Sequence, residues 1–115
     1  MSSRSPFDIL LTPQFQKDLK QLAKRYRSIR KDLEPFIEQL KSGELAGDPL
    51  VGLSRAVFKL RIKNSDIHKG KSAGYRIIYY TKTNTSIVLI TIYSKSDQSD
   101  ISNQTIENII KTFEA

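Results

Sequence analysis

Between Val57 and Lys63 the chain reads VFKLRIK, with apolar and cationic side chains taking turns. A period of two belongs to a strand, whose successive side chains point to opposite faces of a sheet. Phe58, Leu60 and Ile62 therefore share a face that helices have to cover, and that cover leaves Lys59, Arg61 and Lys63 on the other face. Whatever this chain folds into, one strand turns a row of positive charge away from its main core.

The segments around this strand supply the cover. Phe7 to Leu11 reads as a first short strand, closed by Thr12-Pro13, which is a helix start: the threonine oxygen caps an orphan amide and proline lacks one. Phe15, Leu19, Leu22 and Tyr26 then recur at helical spacing, with Lys17, Lys20, Lys24 and Arg25 outward. Ile29, Leu33, Phe36, Ile37 and Leu40 make a second apolar stripe, ended by Ser42-Gly43. Pro35 lies inside it, so this helix is expected to start near Asp32 or to kink at about Leu33. Gly43 to Ser54 (GELAGDPLVGLS) is turn-rich and reads as an extended connection. Gly74 to Thr81 is a further strand. Ser86 to Tyr93 (SIVLITIY) is almost continuously apolar, as a central strand covered on both sides is, and Lys82 to Thr85 forms the hairpin turn before it. Ser102 caps a closing helix, with Ile101 and Ile106 as a hydrophobic staple and Ile106, Ile109, Ile110 and Phe113 as its apolar stripe. The predicted order is β-α-α-β-β-β-α. This is an α+β arrangement, with a helical hairpin and a C-terminal helix packed on a small, mostly antiparallel sheet.

With 115 residues, 38% of them apolar, the chain has material for one core, and a single domain over 1–115 is expected. It has no cysteine, which excludes disulfides and thiolate metal sites. No run approaches the roughly 20 apolar residues of a membrane span, and the N-terminus lacks a signal-peptide pattern, so the expectation is a soluble cytoplasmic protein with no membrane partner. Nineteen Lys and Arg against twelve Asp and Glu give a formal charge of +7, which favours polyanionic partners.

If the strand holding Arg76 pairs antiparallel with the VFKLRIK strand, Arg76 joins Lys59 and Arg61. Lys69 and Lys71 reach the rim from the loop Asn64 to Ala73, and Lys95 approaches from beyond Tyr93. Clustered like charges destabilise a fold, so a sequence that keeps them has an anion to bind. Arginine offers a planar fork to phosphate oxygens, lysine a mobile point charge, and tyrosine a surface for a base. Other chemistries fit poorly. Gly70-Lys71-Ser72 ends like a phosphate-binding P-loop, but Ser65 stands where its first glycine belongs, and a strand follows instead of a helix. His68 is the lone histidine and reads as a solvated loop residue. Asp97, Asp100 and Glu107 serve turns and a helix N-terminus more readily than a metal. No metal or other cofactor is expected.

The strand VFKLRIKN, the stretch GKSAGYRIIYY, the strand with its extension IVLITIYSKSDQSDIS and the closing helix together resemble the RelE/ParE toxin superfamily, especially its RelE and HigB-like branches. The most specific elements are Gly74-Tyr75-Arg76-Ile77-Ile78-Tyr79 and, after a hairpin, Tyr93-Ser94-Lys95. The resemblance implies a toxin of a type II toxin–antitoxin system that cleaves mRNA without a metal ion, commonly in the ribosomal A site. It also implies neutralisation by an acidic antitoxin protein. Family members carry basic residues at the positions of Lys59, Arg61, Arg76 and Lys95. Their tyrosine or histidine beyond the last basic position has no counterpart here, since Ile101 stands near it. On this reading Arg76 holds the reacting phosphate, Lys71 and Lys95 move protons, and Lys59, Arg61, Lys63, Lys69 and Tyr93 hold the RNA. The other readings are a ParE-like, non-enzymatic inhibitor of DNA gyrase and a toxin-like domain that only binds RNA or an antitoxin.

Overall fold

Thr12 sets the first boundary. Its hydroxyl oxygen accepts from the Phe15 amide at 2.9 Å, and its proton goes to the Ile90 carbonyl at 2.6 Å. One buried side chain thus caps a helix and ties it to a strand 78 residues further on. Pro13 occupies the first helical position, where no amide is needed.

The computed structural model describes residues 7–67 and 73–115. The elements run β1 (Asp8–Leu11), α1 (Pro13–Arg25), α2 (Ile29–Lys41), β2 (Asp48–Leu50), β3 (Val57–Ile62), β4 (Tyr75–Thr83), β5 (Ser86–Ser94) and α3 (Asn103–Glu114). They form one sheet in the order β1-β5-β4-β3-β2, with β1 parallel to β5 and every other pairing antiparallel. The α+β class and the mostly antiparallel sheet are as the sequence implies, with one strand added. Within the connection 43–54, Asp48, Pro49 and Leu50 pair with Lys59, Phe58 and Val57. Gly47 makes this approach possible: it has φ +106, and a Cβ there would lie 2.7 Å from the Lys59 carbonyl oxygen. Pro49 is tolerated because β2 is an edge strand.

α2 starts at Ile29, earlier than Asp32, and continues through Pro35. Partners far along the chain fix that start. The Ser28 amide donates to Asp66 at 2.9 Å, and the Ser65 amide donates back to Asp32 at 2.9 Å. The two carboxylates thus tie the residue that precedes α2, and the first turn of α2, to the segment after β3, while Ser28's own side chain makes no capping bond.

α1 and α2 bury one sheet face, where Phe15, Leu22, Ile29, Leu33, Phe36 and Leu40 pack on Ile62, Tyr75, Ile77, Tyr79, Ile87 and Leu89. The cationic face, read from the sequence as the uncovered side of the sheet, is partly covered. Ile106 and Ile110 of α3 pack there against Val57, Ile78, Tyr80, Val88 and Ile90. Gly74 lets β4 enter the sheet beside β3, since a Cβ at that position would lie 2.1 Å from the Ile62 carbonyl oxygen.

Replacing Thr12 with Ala removes a cap worth about 1 kcal/mol and orphans the buried Ile90 carbonyl at about 1–3 kcal/mol. Urea denaturation should show a loss of at least about 2 kcal/mol. Thr12→Ser, which keeps the hydroxyl, should recover most of it.

Candidate functional site

Strand register assembles the site. Arg61 lies directly opposite Arg76, Arg76 lies opposite Tyr93, and Lys59, two residues along β3 from Arg61, lies opposite Ile78. Residues opposite one another in an antiparallel pair share a face. Arg61, Arg76 and Tyr93 therefore make a row across three strands, with Lys59 beside it, on the face that carries α3.

Burial grades this row. Arg76 is 6% exposed, and its Nη1 donates to the Tyr75 carbonyl at 3.3 Å. Lys59 is half-buried and Arg61 exposed. Lys95 follows β5: its amide donates to the Gly74 carbonyl at 2.9 Å, and its Nζ donates to the Ser99 carbonyl at 2.7 Å. Lys63 lies one residue beyond β3 and is exposed. His68, Lys69 and Lys71 lie outside the described residues.

The loop from β5 to α3 returns a carboxylate to these cations. Asp100 Oδ1 sits 3.1 Å from Lys59 Nζ and accepts from the Ile101 amide at 2.8 Å. That amide, then Lys59 and the charge of Lys95, hold the Asp100 carboxyl below its ordinary value, so it is ionised across the neutral range. Tyr93 is 6% exposed, and its hydroxyl has no hydrogen-bond partner among the described residues. Burial pushes the phenol up, the Asp100 charge adds to this, and Arg76 opposes it. The ring packs into the core cluster under α3 and the hydroxyl is buried with it, so Tyr93 presents no open face for base stacking.

The carboxylates weighed as metal ligands are dispersed. Asp97 pairs with Arg25 at 2.7 Å, Asp100 with Lys59, and Glu107 accepts from the Ser54 amide at 3.1 Å and its hydroxyl at 2.8 Å. Among the described residues no group of acidic or histidine side chains is placed to hold a metal ion. Beside Tyr93 and Asp100 a groove of about 840 Å³ opens between the start of α1, β5 and α3, lined in part by Asp18, Ile101, Ile109 and Phe113. Sequence reasoning missed the role of Asp100, because its partner stands 41 residues away and no local pattern announces the pair.

The residues that build this arrangement lie within 12–113, which match the family described as the RelE toxin of the RelE / RelB toxin-antitoxin system. The chain belongs to the RelE toxin family. It is thereby placed on the toxin side of a toxin–antitoxin system, and membership implies an antitoxin partner. No curated protein matches the chain. Among the described residues of this RelE-family toxin, no helix is long and apolar enough to cross a membrane.

The Asp100 carboxylate competes with any incoming phosphate for Lys59. Asp100→Asn keeps an acceptor for the Ile101 amide and removes the charge. Fluorescence anisotropy at low salt should then show a short single-stranded RNA binding about 3- to 10-fold more tightly, an advantage that shrinks as salt rises. Stability should change by less than about 1 kcal/mol, because the pair is solvent-exposed. Unchanged RNA affinity would mean that Asp100 does not compete for that surface.

Proposed function

We propose that this RelE-family toxin is an mRNA endoribonuclease that arrests translation, acting on messages held in the ribosomal A site. The observation that carries the reading is the register that sets Arg76 opposite both Arg61 and Tyr93, with Lys59 and Lys95 alongside.

RNA carries its own nucleophile. The ribose 2′-hydroxyl attacks the adjacent phosphorus, a new O–P bond forms, and the bond to the 5′-oxygen of the next nucleotide breaks. A base takes the 2′-hydroxyl proton, and an acid supplies one to the departing oxygen. The protein's task is to orient the strand and stabilise the charge that grows on the phosphate. Arg76 is suited to this because it is fixed in the central strand and largely removed from water, where a preorganised donor acts most strongly. Lys59 and Arg61 hold flanking phosphates, with Lys63 and Lys69 extending the contact. Tyr93, its hydroxyl buried, packs opposite Arg76 on the neighbouring strand and backs the row. Lys95 stands at the end of the same strand to give a proton to the leaving oxygen, a role shared with Lys71. The A site suits a protein of this kind, because ribosomal RNA can hold the message and complete the geometry of the reacting bond.

Arg76→Ala should lower cleavage by roughly 100- to 1000-fold, the loss associated with one transition-state donor. Primer-extension mapping of transcripts after induction reads this directly. Circular dichroism shows whether the variant folds, and Arg76→Lys, which retains a charge in the buried position, covers the case where alanine does not. Wild-type-level cleavage by a folded Arg76→Ala protein would remove Arg76 from the mechanism. Intact transcripts under wild-type induction would overturn the ribonuclease reading itself.

A further inference from the structure

The groove between the start of α1, the end of β5 and α3 differs in chemistry from the rest of the chain. The protein holds nineteen lysines and arginines, yet no lysine, arginine or histidine is among the described residues that line this space of about 840 Å³. Ile92, Ile101, Ile109 and Phe113 give it apolar walls, and Asp18 and Asp100 give it two carboxylates. A phosphate or an acidic peptide entering it would meet negative charge with no lining cation to offset it. What the groove suits is a neutral, partly apolar body that brings N–H donors.

Asp18 sets the recognition chemistry. It is half-buried and, among the described residues, belongs to no ion pair. Its neighbours one turn along α1 are Gln14, Phe15, Gln21 and Leu22, none of them charged. Two neutral donors hold it instead: Gln14 Nε2 donates to Oδ1 at 2.8 Å, and the hydroxyl of the buried Thr91 donates to Oδ2. A carboxylate has about four lone-pair sites, so each oxygen keeps capacity for a second donor. The two oxygens are thus fixed side by side at the groove wall, an arrangement that takes two parallel N–H groups. A half-buried charge without a cation costs stability. The tether to Thr91 does not require that charge, since a neutral amide oxygen also accepts from a hydroxyl.

Resting on the mRNA-cleavage reading above, we propose that this groove is a base-reading pocket, in which Asp18 takes the N1–H and N2–H donors of one unpaired guanine of the message. Unpaired bases are read on their Watson–Crick edge and held between apolar side chains. On that edge guanine sets two adjacent donor nitrogens against one carboxylate, whereas adenine, cytosine and uracil each have a single donor nitrogen. The groove joins the cationic row directly. Asp100 lines it and also pairs with Lys59 at 3.1 Å, and Tyr93 lines it and lies opposite Arg76. Tyr93 is 6% exposed and its hydroxyl has no hydrogen-bond partner among the described residues, so the wall at this junction holds polar capacity that the fold does not use. A message whose phosphates lie along Lys59 and Arg76 can turn a neighbouring base into the groove. Phosphates then meet the cations and the base meets the carboxylate. An arginine side chain of a protein partner offers the same pair of donors, and continuity with the row favours the base.

The test is fluorescence anisotropy of the full chain, without ribosomes, against short uridine tracts carrying one central guanosine, adenosine, cytidine or inosine. The guanosine tract should bind about tenfold more tightly than the all-uridine tract. That ratio should persist as salt rises, because the phosphate contacts are common to every tract. Inosine keeps N1–H and lacks the exocyclic amine, so it should bind about threefold more weakly than guanosine. Asp18→Asn should bring the guanosine tract down to the uridine level and leave uridine binding within about twofold of wild type, with circular dichroism checking the fold. If that variant does not fold, the inosine comparison on the wild type decides alone. Equal binding of all tracts by the wild type would overturn the proposal, as would a guanosine preference that folded Asp18→Asn retains, or an Asp18→Asn defect confined to binding a protein partner. Cut transcripts without a base preference would remove the pocket and keep the ribonuclease reading. A base preference with intact transcripts would do the reverse.

Discussion

Arg61 and Arg76 face each other across the β3–β4 ladder, and like charges directly opposite in a sheet repel. Arg61 can lean into water. Arg76 cannot, because β4 lies between β3 and β5, and the run Tyr75 to Tyr80 is buried throughout. The register that places these arginines is the same one that stacks Ile77, Tyr79 and Ile62 under the helical hairpin. A slip of one residue would send those apolar side chains to the wrong face, so the core holds the two charges together. On the ribonuclease reading proposed above, a phosphate bridging the two arginines would offset their repulsion.

The same face must also be closed enough to form a core. β5, apolar along nearly its whole length, requires cover on both sides, whereas β3, alternating, asks for cover on one. Both requirements are met at different ends of the sheet. α3 lies over Val57, Ile78, Tyr80, Val88 and Ile90 and leaves Arg61 exposed. Polar contacts fix α3 over this end: Asn103 to the Val51 carbonyl at 2.9 Å, Glu107 to Ser54, and Glu114 to Arg55 and Tyr80. The loop from β5 is then stretched between two anchors, the Lys95 amide on Gly74 and the Ser102 cap that accepts from Thr105 at 3.1 Å. Asp100 falls against Lys59 because the loop has little freedom to put it elsewhere.

This division explains which features could be read from the sequence. Thr12-Pro13 and Ser102 announce their helices because a cap is a local event. The strands announce themselves through alternation, and from β3 alternation alone separates the core side from the cationic side. What escaped were effects of long-range geometry. The start of α2 depends on Asp66, and β2 exists because Gly47 allows a close approach to Lys59. The cover on the second face was implied by β5's composition but contradicted by β3's, and only the placement of α3 reconciles the two. Arg76 and its neighbours were visible as a cluster, whereas Tyr93's burial and the counter-charge from Asp100 depend on where α3 lies.

The two kinds of charge in the site differ in how easily they exchange partners. An exposed ion pair such as Lys59–Asp100 contributes at most about 1 kcal/mol, so a phosphate arriving with its neighbours along a strand can displace it. Arg76 is held in the strand by the core around it and has little freedom to lose when a ligand arrives, which is the condition under which a donor discriminates a transition state from a ground state. On the ribonuclease reading proposed above, a weakly held carboxylate at the rim and a rigid guanidinium in the central strand would separate admission from chemistry, and the Lys59–Asp100 pair would keep the cationic surface partly neutral before RNA binds. The buried arginine remains poised regardless, because its position is set by the register of β3, β4 and β5 and not by the loop above it.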